Sequence, residues 1–139
     1  MAEQAAPTAI YSVVFDTDIL IWYLRGHEKA LRSIEAVAYS QRATSALSLM
    51  ELIQGCRNSA EVRQVKLFVA ENFSQVSYPN EIICRKAVEL LDSYALSHGL
   101  RVVDALIAAT AMDRNASLAS ANVKHCRSIP NLHLLPFKP

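Results

Sequence analysis

The chain has 139 residues, 52% of them hydrophobic, which suits one compact domain burying roughly two thirds of its unfolded surface around a single core. Its 14 Lys and Arg against 13 Asp and Glu leave a formal net charge of +1, so there is no bulk attraction to nucleic acid or to an acidic membrane surface and any polyanion must be recognised locally. The apolar runs are broken by Asp, Arg or Gly well short of a bilayer span, the start MAEQAAPT lacks the regions of a signal peptide, and Cys56, Cys84 and Cys126 form no CxxC pair; a cytoplasmic protein with reduced thiols and no membrane segment is expected.

Residues 1–9 read as a frayed lead-in and 10–139 as one domain without internal repeats. Ile10–Phe15 (IYSVVF) is β-branched and aromatic and ends at Asp16, the pattern of a central strand buried on both faces. Ile19–Leu24 predicts a short helix stopped by Gly26, and Glu28–Ser40 a second one, with Ala30, Leu31, Ile34, Val37 and Ala38 at helical spacing. Arg42–Ala46 predicts a short strand. Ser48–Gln54 is a helix ended by Gly55, and Ala60–Phe73 a longer one with Val62, Val65, Leu67, Phe68 and Val69 on one broad side. Gln75–Ser77 is a strand candidate. Pro79 precedes a long helix over Glu81–Ser97 with Gly99 as its stop, and the Ala-rich Asp104–Arg114 predicts a buried central helix. Leu118 and Ala119 predict a core strand, followed by a turn of helix after Asn122 and a last strand near Leu132–Leu135. Short apolar strands alternating with helices predict an α/β/α sandwich around a mainly parallel sheet of four to five strands.

Three acids sit in apolar stretches far apart in sequence: Asp16 in YSVVFDTDILIWYL, Glu51 in SLMELI and Asp104 in RVVDALIAATA. In a parallel α/β sheet the loops leaving the strands' carboxyl ends form the ligand crevice, and Asp16, Glu51, Asp104 and Asn122 all fall at or near a predicted helix start. Each has a structural explanation: Asp16 or Asp18 as N-cap, Asp104 as a first-turn acid, Asn122 as N-cap, and Ser48 with Glu51 as a capping box. Capping does not account for collecting them, because each like-charge pair costs roughly 3 kcal/mol at about 5 Å and an effective dielectric near 20. A divalent cation would offset that repulsion. Oxygen donors alone suit hard Mg²⁺ or Mn²⁺, while the histidines at 27, 98, 125 and 133 form no HxxxH pair that would favour zinc. Asp113, nine residues after Asp104, falls on the opposite side of the same helix, and Glu61, Glu71, Glu89 and Asp92 read as solvated. Only three glycines occur, so neither a dinucleotide fingerprint nor a phosphate loop is available.

The segments VVFDTDILIWYL, SALSLMELIQG, VVDALIAATAM and LASANVKHCRSIPNLHL, in this order and spacing, resemble the PIN domain, specifically the VapC toxins of toxin–antitoxin pairs. The resemblance implies a metal-dependent endoribonuclease acting on structured RNA such as tRNA, inhibited by a VapB-like antitoxin, and a homodimer. It also assigns Asp16, Glu51 and Asp104 as acidic metal-site residues, with Asn122 where many members carry a fourth Asp, and makes Thr17 and Ser120 candidates for holding the ligands in place. Trp22 and Tyr23 mark the helix beside which an antitoxin segment would lie. Arg25, Arg42, Arg101, Lys124 and Arg127, near the predicted pocket loops, are candidate RNA contacts. A rival from another class takes Asp16-Thr17-Asp18 as the DxD of a haloacid-dehalogenase-like phosphohydrolase, although the chain has no Gly-Asp pair. A third reading, resting on Asn122, is a catalytically weak PIN scaffold that binds RNA or protein.

Overall fold

The computed structural model describes residues 12–139, so the lead-in at 1–9 and the first two residues of the predicted strand, Ile10 and Tyr11, lie outside the described residues. Five strands, β1 (Val13–Phe15), β2 (Arg42–Ser45), β3 (Gln75–Ser77), β4 (Ser117–Ser120) and β5 (Leu134–Pro136), form one sheet in the order β3-β2-β1-β4-β5, every neighbouring pair parallel. The central position of β1 follows from its composition. Val13, Val14 and Phe15 are all buried, and alternate residues leave on opposite faces.

Val13 and Phe15 join Ile19, Leu20, Ile34, Phe68 and Phe73 on one side of the sheet, beneath helices α1 (Thr17–Leu24), α2 (Glu28–Glu35), α3 (Ala46–Gln54) and α4 (Ser59–Asn72). Val14 joins Ala43, Ile107, Ala111 and Leu118 on the other side, beneath α6 (Val102–Asp113). Helix α5 (Glu81–His98) packs outside α6 through Ile83, Ala87 and Leu90 against Ala105, Ala108 and Ala109. The small alanine side chains let the two helices approach, and each large side chain buried here contributes about 1.5–3 kcal/mol. The result is the three-layer α/β/α sandwich expected. Among the described residues no helix is long and apolar enough to cross a membrane.

Several element ends differ from the sequence expectation. The second helix stops at Glu35, not Ser40, and a 3₁₀ turn covers Tyr39–Gln41. Arg42 draws the chain round at this point: its Nε donates to the Val37 carbonyl at 2.8 Å and its Nη1 to the Asn72 carbonyl at 3.3 Å. The third helix starts at Ala46, with Ser45 as its N-cap accepting from the Leu47 N–H at 3.1 Å, so Ser48 and Glu51 do not form the predicted capping box. A four-residue helix, α7 (Val123–Cys126), follows β4. The long helix behaves as predicted: Asn80 caps its start through the Ile83 N–H, and Gly99 ends it in the left-handed region at φ 69°.

The strand order fixes where a site can lie. From β1 the chain moves outward through β2 to β3, then returns to the other side of β1 for β4 and β5. The crevice between the carboxyl ends of β1 and β4 is therefore the topological switch point, where open α/β sheets bind ligands. Asp16 immediately follows β1, and Ser120 ends β4.

Candidate active site

Asp16 caps α1 from extended backbone, φ −75° and ψ 162°, as a short carboxylate at an N-cap should. Its Oδ1 accepts from the Thr17 N–H at 2.7 Å, and its Oδ2 from the Ser120 hydroxyl at 2.7 Å, so both neighbouring strand ends hold the one carboxylate. Burial pushes its pKa up to about 6; the negative charges of Asp18 and Asp104 add to the rise, while the hydrogen bonds from Ser120 and Thr17 oppose it. Among the described residues no Lys or Arg forms an ion pair with Asp16.

Thr17 connects the first acid to the second. Its hydroxyl lies 2.6 Å from Glu51 Oε1 and 2.8 Å from the Ser48 hydroxyl, both 31 or more residues away in sequence. A hydroxyl has one proton and a carboxylate only accepts, so the Thr17 proton goes to Glu51 and that of Ser48 supplies the second bond. Ser48 is fully buried and Glu51 exposed on the adjoining turn. The Ser48–Glu51 spacing that suggested a capping box thus serves a contact between helices.

Asp104, in the first turn of α6, accepts from the Arg101 N–H at 3.3 Å, the local half of its helix-start explanation. It also accepts from the side-chain amide of Asn122 at 3.0 Å and lies 3.3 Å from His125 Nδ1. Asn122 occupies the N-cap position of α7, but its side chain makes no capping bond; its backbone N–H donates to the Ser120 hydroxyl at 2.9 Å. Nothing in the sequence alone singles out His125 beyond its i+3 spacing from Asn122, which sets both side chains on one face of a helical turn. Cys126, beside it, turns into the core, and its thiol is pushed up to about 12 by burial first and then by the charges of Asp104 and Asp16. It remains a protonated thiol at neutral pH.

Asp16, Asp18, Glu51, Asp104 and Asn122 line one open cavity of about 1040 Å³, together with Arg101. The predicted acids therefore share a crevice. They are not drawn into one cluster: among the described residues no group of three or more His, Cys, Asp or Glu is arranged to hold a metal ion. Glu51 is drawn toward Thr17 and Asp104 toward Asn122 and His125, which keeps the like charges apart. Exposed Asp113, at the far end of α6, does not line the cavity.

Two groups of candidate contacts need correction. Arg42 stands at the amino end of β2, with its guanidinium bonded to two backbone carbonyls and its Cζ 6.0 Å from the Tyr39 ring centre; it shapes the fold and lies outside the crevice. Tyr23 turns inward onto Phe68 at 4.8 Å, and Trp22 packs against His27 at 5.0 Å with Arg25 over its face at 5.5 Å. The groove beside α1, about 450 Å³, is lined instead by Ile21, Leu24 and Arg25 facing Leu52, Cys56 and Val65, and Glu51 joins it to the acidic cavity.

A family model described as the PIN domain matches residues 13–128. Ribonuclease VapC10 of Mycobacterium tuberculosis is 36% identical over 115 residues, 81% of this chain and 84% of its own length. Ribonuclease VapC19 of the same organism is 34% identical over 122 residues, 86% of this chain and 95% of its own. A toxin–antitoxin complex from Klebsiella pneumoniae has a similar chain, with a TM-score of 0.78 at 27% identity, covering 92% of this chain and 100% of that one. VapBC-1 from nontypeable Haemophilus influenzae gives a TM-score of 0.73 at 26% identity, covering 89% and 96%. With its sheet order, its acidic switch-point crevice and this match over most of its length, the chain belongs to the PIN-domain family.

Proposed function

We propose that the protein is a VapC-type endoribonuclease toxin that hydrolyses phosphodiester bonds in structured RNA, tRNA among the candidates, and is restrained by a VapB-like antitoxin. The observation that carries this reading is Asp16: a carboxylate at the sheet's switch point, raised toward pKa 6 by burial and by two neighbouring acids, with no cationic side chain paired to it among the described residues. The donors around it are oxygens, and the one nearby thiol stays protonated. That chemistry fits Mg²⁺ or Mn²⁺. Magnesium in particular is commonly held by one or two carboxylates plus waters and substrate phosphate, so a three-acid cluster is not required. Asp16 and Asp104 would hold the ion, with Glu51 and Asn122 at its margin.

When bound, such an ion activates water and stabilises the leaving oxygen of the phosphodiester. The protein's own contributions can be read residue by residue. Ser120 and the Thr17 N–H fix the plane of the Asp16 carboxylate and favour its ionised form against burial. Thr17 and Ser48 hold Glu51 at the cavity rim. The Asn122 amide, with His125 alongside, orients Asp104, so Asn122 acts through that acid as much as through its own oxygen. The third reading, a catalytically weak scaffold, predicts instead that no divalent-dependent cleavage occurs. Membership of the PIN family leaves the dehalogenase-like reading of Asp16 and Asp18 without a fold to stand on.

The test is cleavage of a tRNA pool and a structured RNA by purified protein. Cleavage is expected with Mg²⁺ or Mn²⁺ and should fall to background after chelation. Undiminished cleavage in chelator would remove the metal, and no cleavage of any RNA in its presence would remove the nuclease.

The partner reading rests on the groove beside α1. The Klebsiella neighbour is a toxin–antitoxin complex by its title, and a groove with aliphatic walls opening onto an acidic cavity suits an amphipathic segment that ends in a basic side chain. Leu24, 44% exposed on that rim, is the anchor in place of Trp22, which packs against His27. Leu24→Ala should weaken antitoxin binding by about 1–2 kcal/mol in a calorimetric titration, with the melting temperature of the free toxin little changed. Equal affinity of the two proteins would remove the groove from the interface. The homodimer belongs to the same proposal, supported by Ile82, Val88 and Leu96, which are exposed along one side of α5.

A further inference from the structure

A third cavity, also about 450 Å³, opens on the other side of His125 from the acidic crevice. Its wall carries His98 at the end of α5, Lys124, His125 and Arg127, and the hydroxyls of Ser97 and Ser128. It contains no carboxylate. Several surface cations elsewhere are paired: Arg32, Arg85 and Lys86 each with a glutamate on the same helix, Arg57 with Glu61 just inside the start of α4, and Arg42 with backbone carbonyls. Among the described residues Lys124 and Arg127 form no ion pair, and both are exposed.

The local backbone explains why the cavity stays open and positive. Gly99 takes the left-handed turn at φ 69°, and a Cβ there would meet His125 Nε2 at 3.9 Å, so the imidazole edge facing away from Asp104 looks onto this turn. At the end of α5 the Ala95 carbonyl accepts from the Gly99 N–H and the Tyr94 carbonyl from the Leu100 N–H, which holds this turn in place. His98 Nδ1 is held by the Ser97 hydroxyl at 2.7 Å, leaving Nε2 as its available polar atom. On its other edge His125 contacts Asp104 at 3.3 Å, so one imidazole ring separates the two cavities.

We propose that this basic cavity holds a phosphate of the RNA strand adjacent to the one being cut. The inference rests on the endoribonuclease reading and extends it: a chain of net charge +1 can retain a polyanion against an acidic crevice only through a local anion site, and this is the cavity whose wall is cationic and hydroxylic without an acid. A strand seated in both cavities has its path past His125 fixed. The recognition is of backbone charge, so the site positions the strand and carries no base preference.

The experiment uses the full-length chain with Asp16→Asn, which keeps a helix cap and leaves the RNA uncut. Binding of a fluorescent RNA oligonucleotide is followed by anisotropy across a salt series, with and without the added pair Lys124→Ala and Arg127→Ala; Lys66→Ala, on the exposed side of α4, is the control. The double change should weaken binding about tenfold and reduce the slope of log affinity against log salt by about 1, with Lys66→Ala showing neither effect. Inorganic phosphate should compete with RNA for the parent and less well for the double variant. Unchanged affinity and slope overturn the subsite, and if wild-type protein still cleaves RNA the nuclease reading stands without it. No RNA binding by the parent, with no cleavage by wild type, overturns both.

Discussion

Asp16→Asn should reduce RNA cleavage by roughly a hundredfold or more while making the metal-free protein more stable at pH 7. The activity loss follows from removing the charge at the centre of the crevice; even residues that only orient a metal ligand commonly cost about 10–100-fold when changed. The stability gain follows from linkage. Asp16 has a folded pKa of about 6, raised chiefly by burial, against an ordinary aspartate value near 4 when unfolded. A raised folded pKa means that folding favours the protonated acid. That contribution is complete below about pH 4 and is lost as pH rises through about 6. The amide never pays it: its oxygen can still accept from the Thr17 N–H, while its NH2 faces the Ser120 hydroxyl as a donor. The variant should therefore match wild type near pH 4 and exceed it by on the order of 2 kcal/mol at pH 7, since one unit corresponds to about 1.4 kcal/mol. Urea unfolding at the two pH values measures this. Millimolar Mg²⁺ should close the gap by stabilising wild type alone; a variant less stable than wild type at pH 7 without metal would show that Asp16 is a structural cap first.

The second large effect separates two acids on one helix. Asp104→Asn should lower cleavage by about tenfold to a hundredfold, because Oδ1 can still meet the Asn122 amide but the charge facing Asp16 is gone. Asp113→Asn, exposed at the end of α6 and outside the cavity, should leave the rate within about twofold, as surface changes away from a site generally do. Single-turnover rates at saturating enzyme measure both without interference from binding. Comparable losses in the two would mean that the crevice is not where the chemistry happens.

Much of this architecture was readable because the signals were local. The VVF run before Asp16, Pro79 ahead of α5 with Gly99 as its stop, and the Ala-rich α6 each announce their own element, and strands alternating with helices leave a parallel sheet as the simple solution. What escaped was decided across the fold. Ser48 followed three residues later by Glu51 satisfies a capping pattern in any local reading, but Thr17, 31 positions earlier, takes both side chains and Ser45 caps the helix. Arg42 looked like a free cation because nothing nearby in sequence discloses that the Val37 and Asn72 carbonyls converge on it. His125 belongs to no paired zinc spacing, and its neighbours are instead an amide three residues back and an acid 21 residues back. Helical spacing correctly set Ile19–Leu24 apart as apolar, but it could not say that Trp22 and Tyr23 turn onto His27 and Phe68 and leave Leu24 at the rim.

The bond from Ser120 to Asp16 spans 104 positions of the chain, and β4 reaches its place beside β1 only after β2, β3 and the six helices α1 to α6 have been made. During translation the growing polypeptide consequently carries Asp16 without its Ser120 contact, and without Asn122 to orient Asp104, until residues 117–122 have been made. A nascent chain that stops short of them cannot display the finished crevice, and truncated products from aborted synthesis lack the same contacts. The α1 groove is formed by residues from Ile21 to Val65, in the first half of the chain, so the surface offered to a restraining partner can exist before the crevice it would guard.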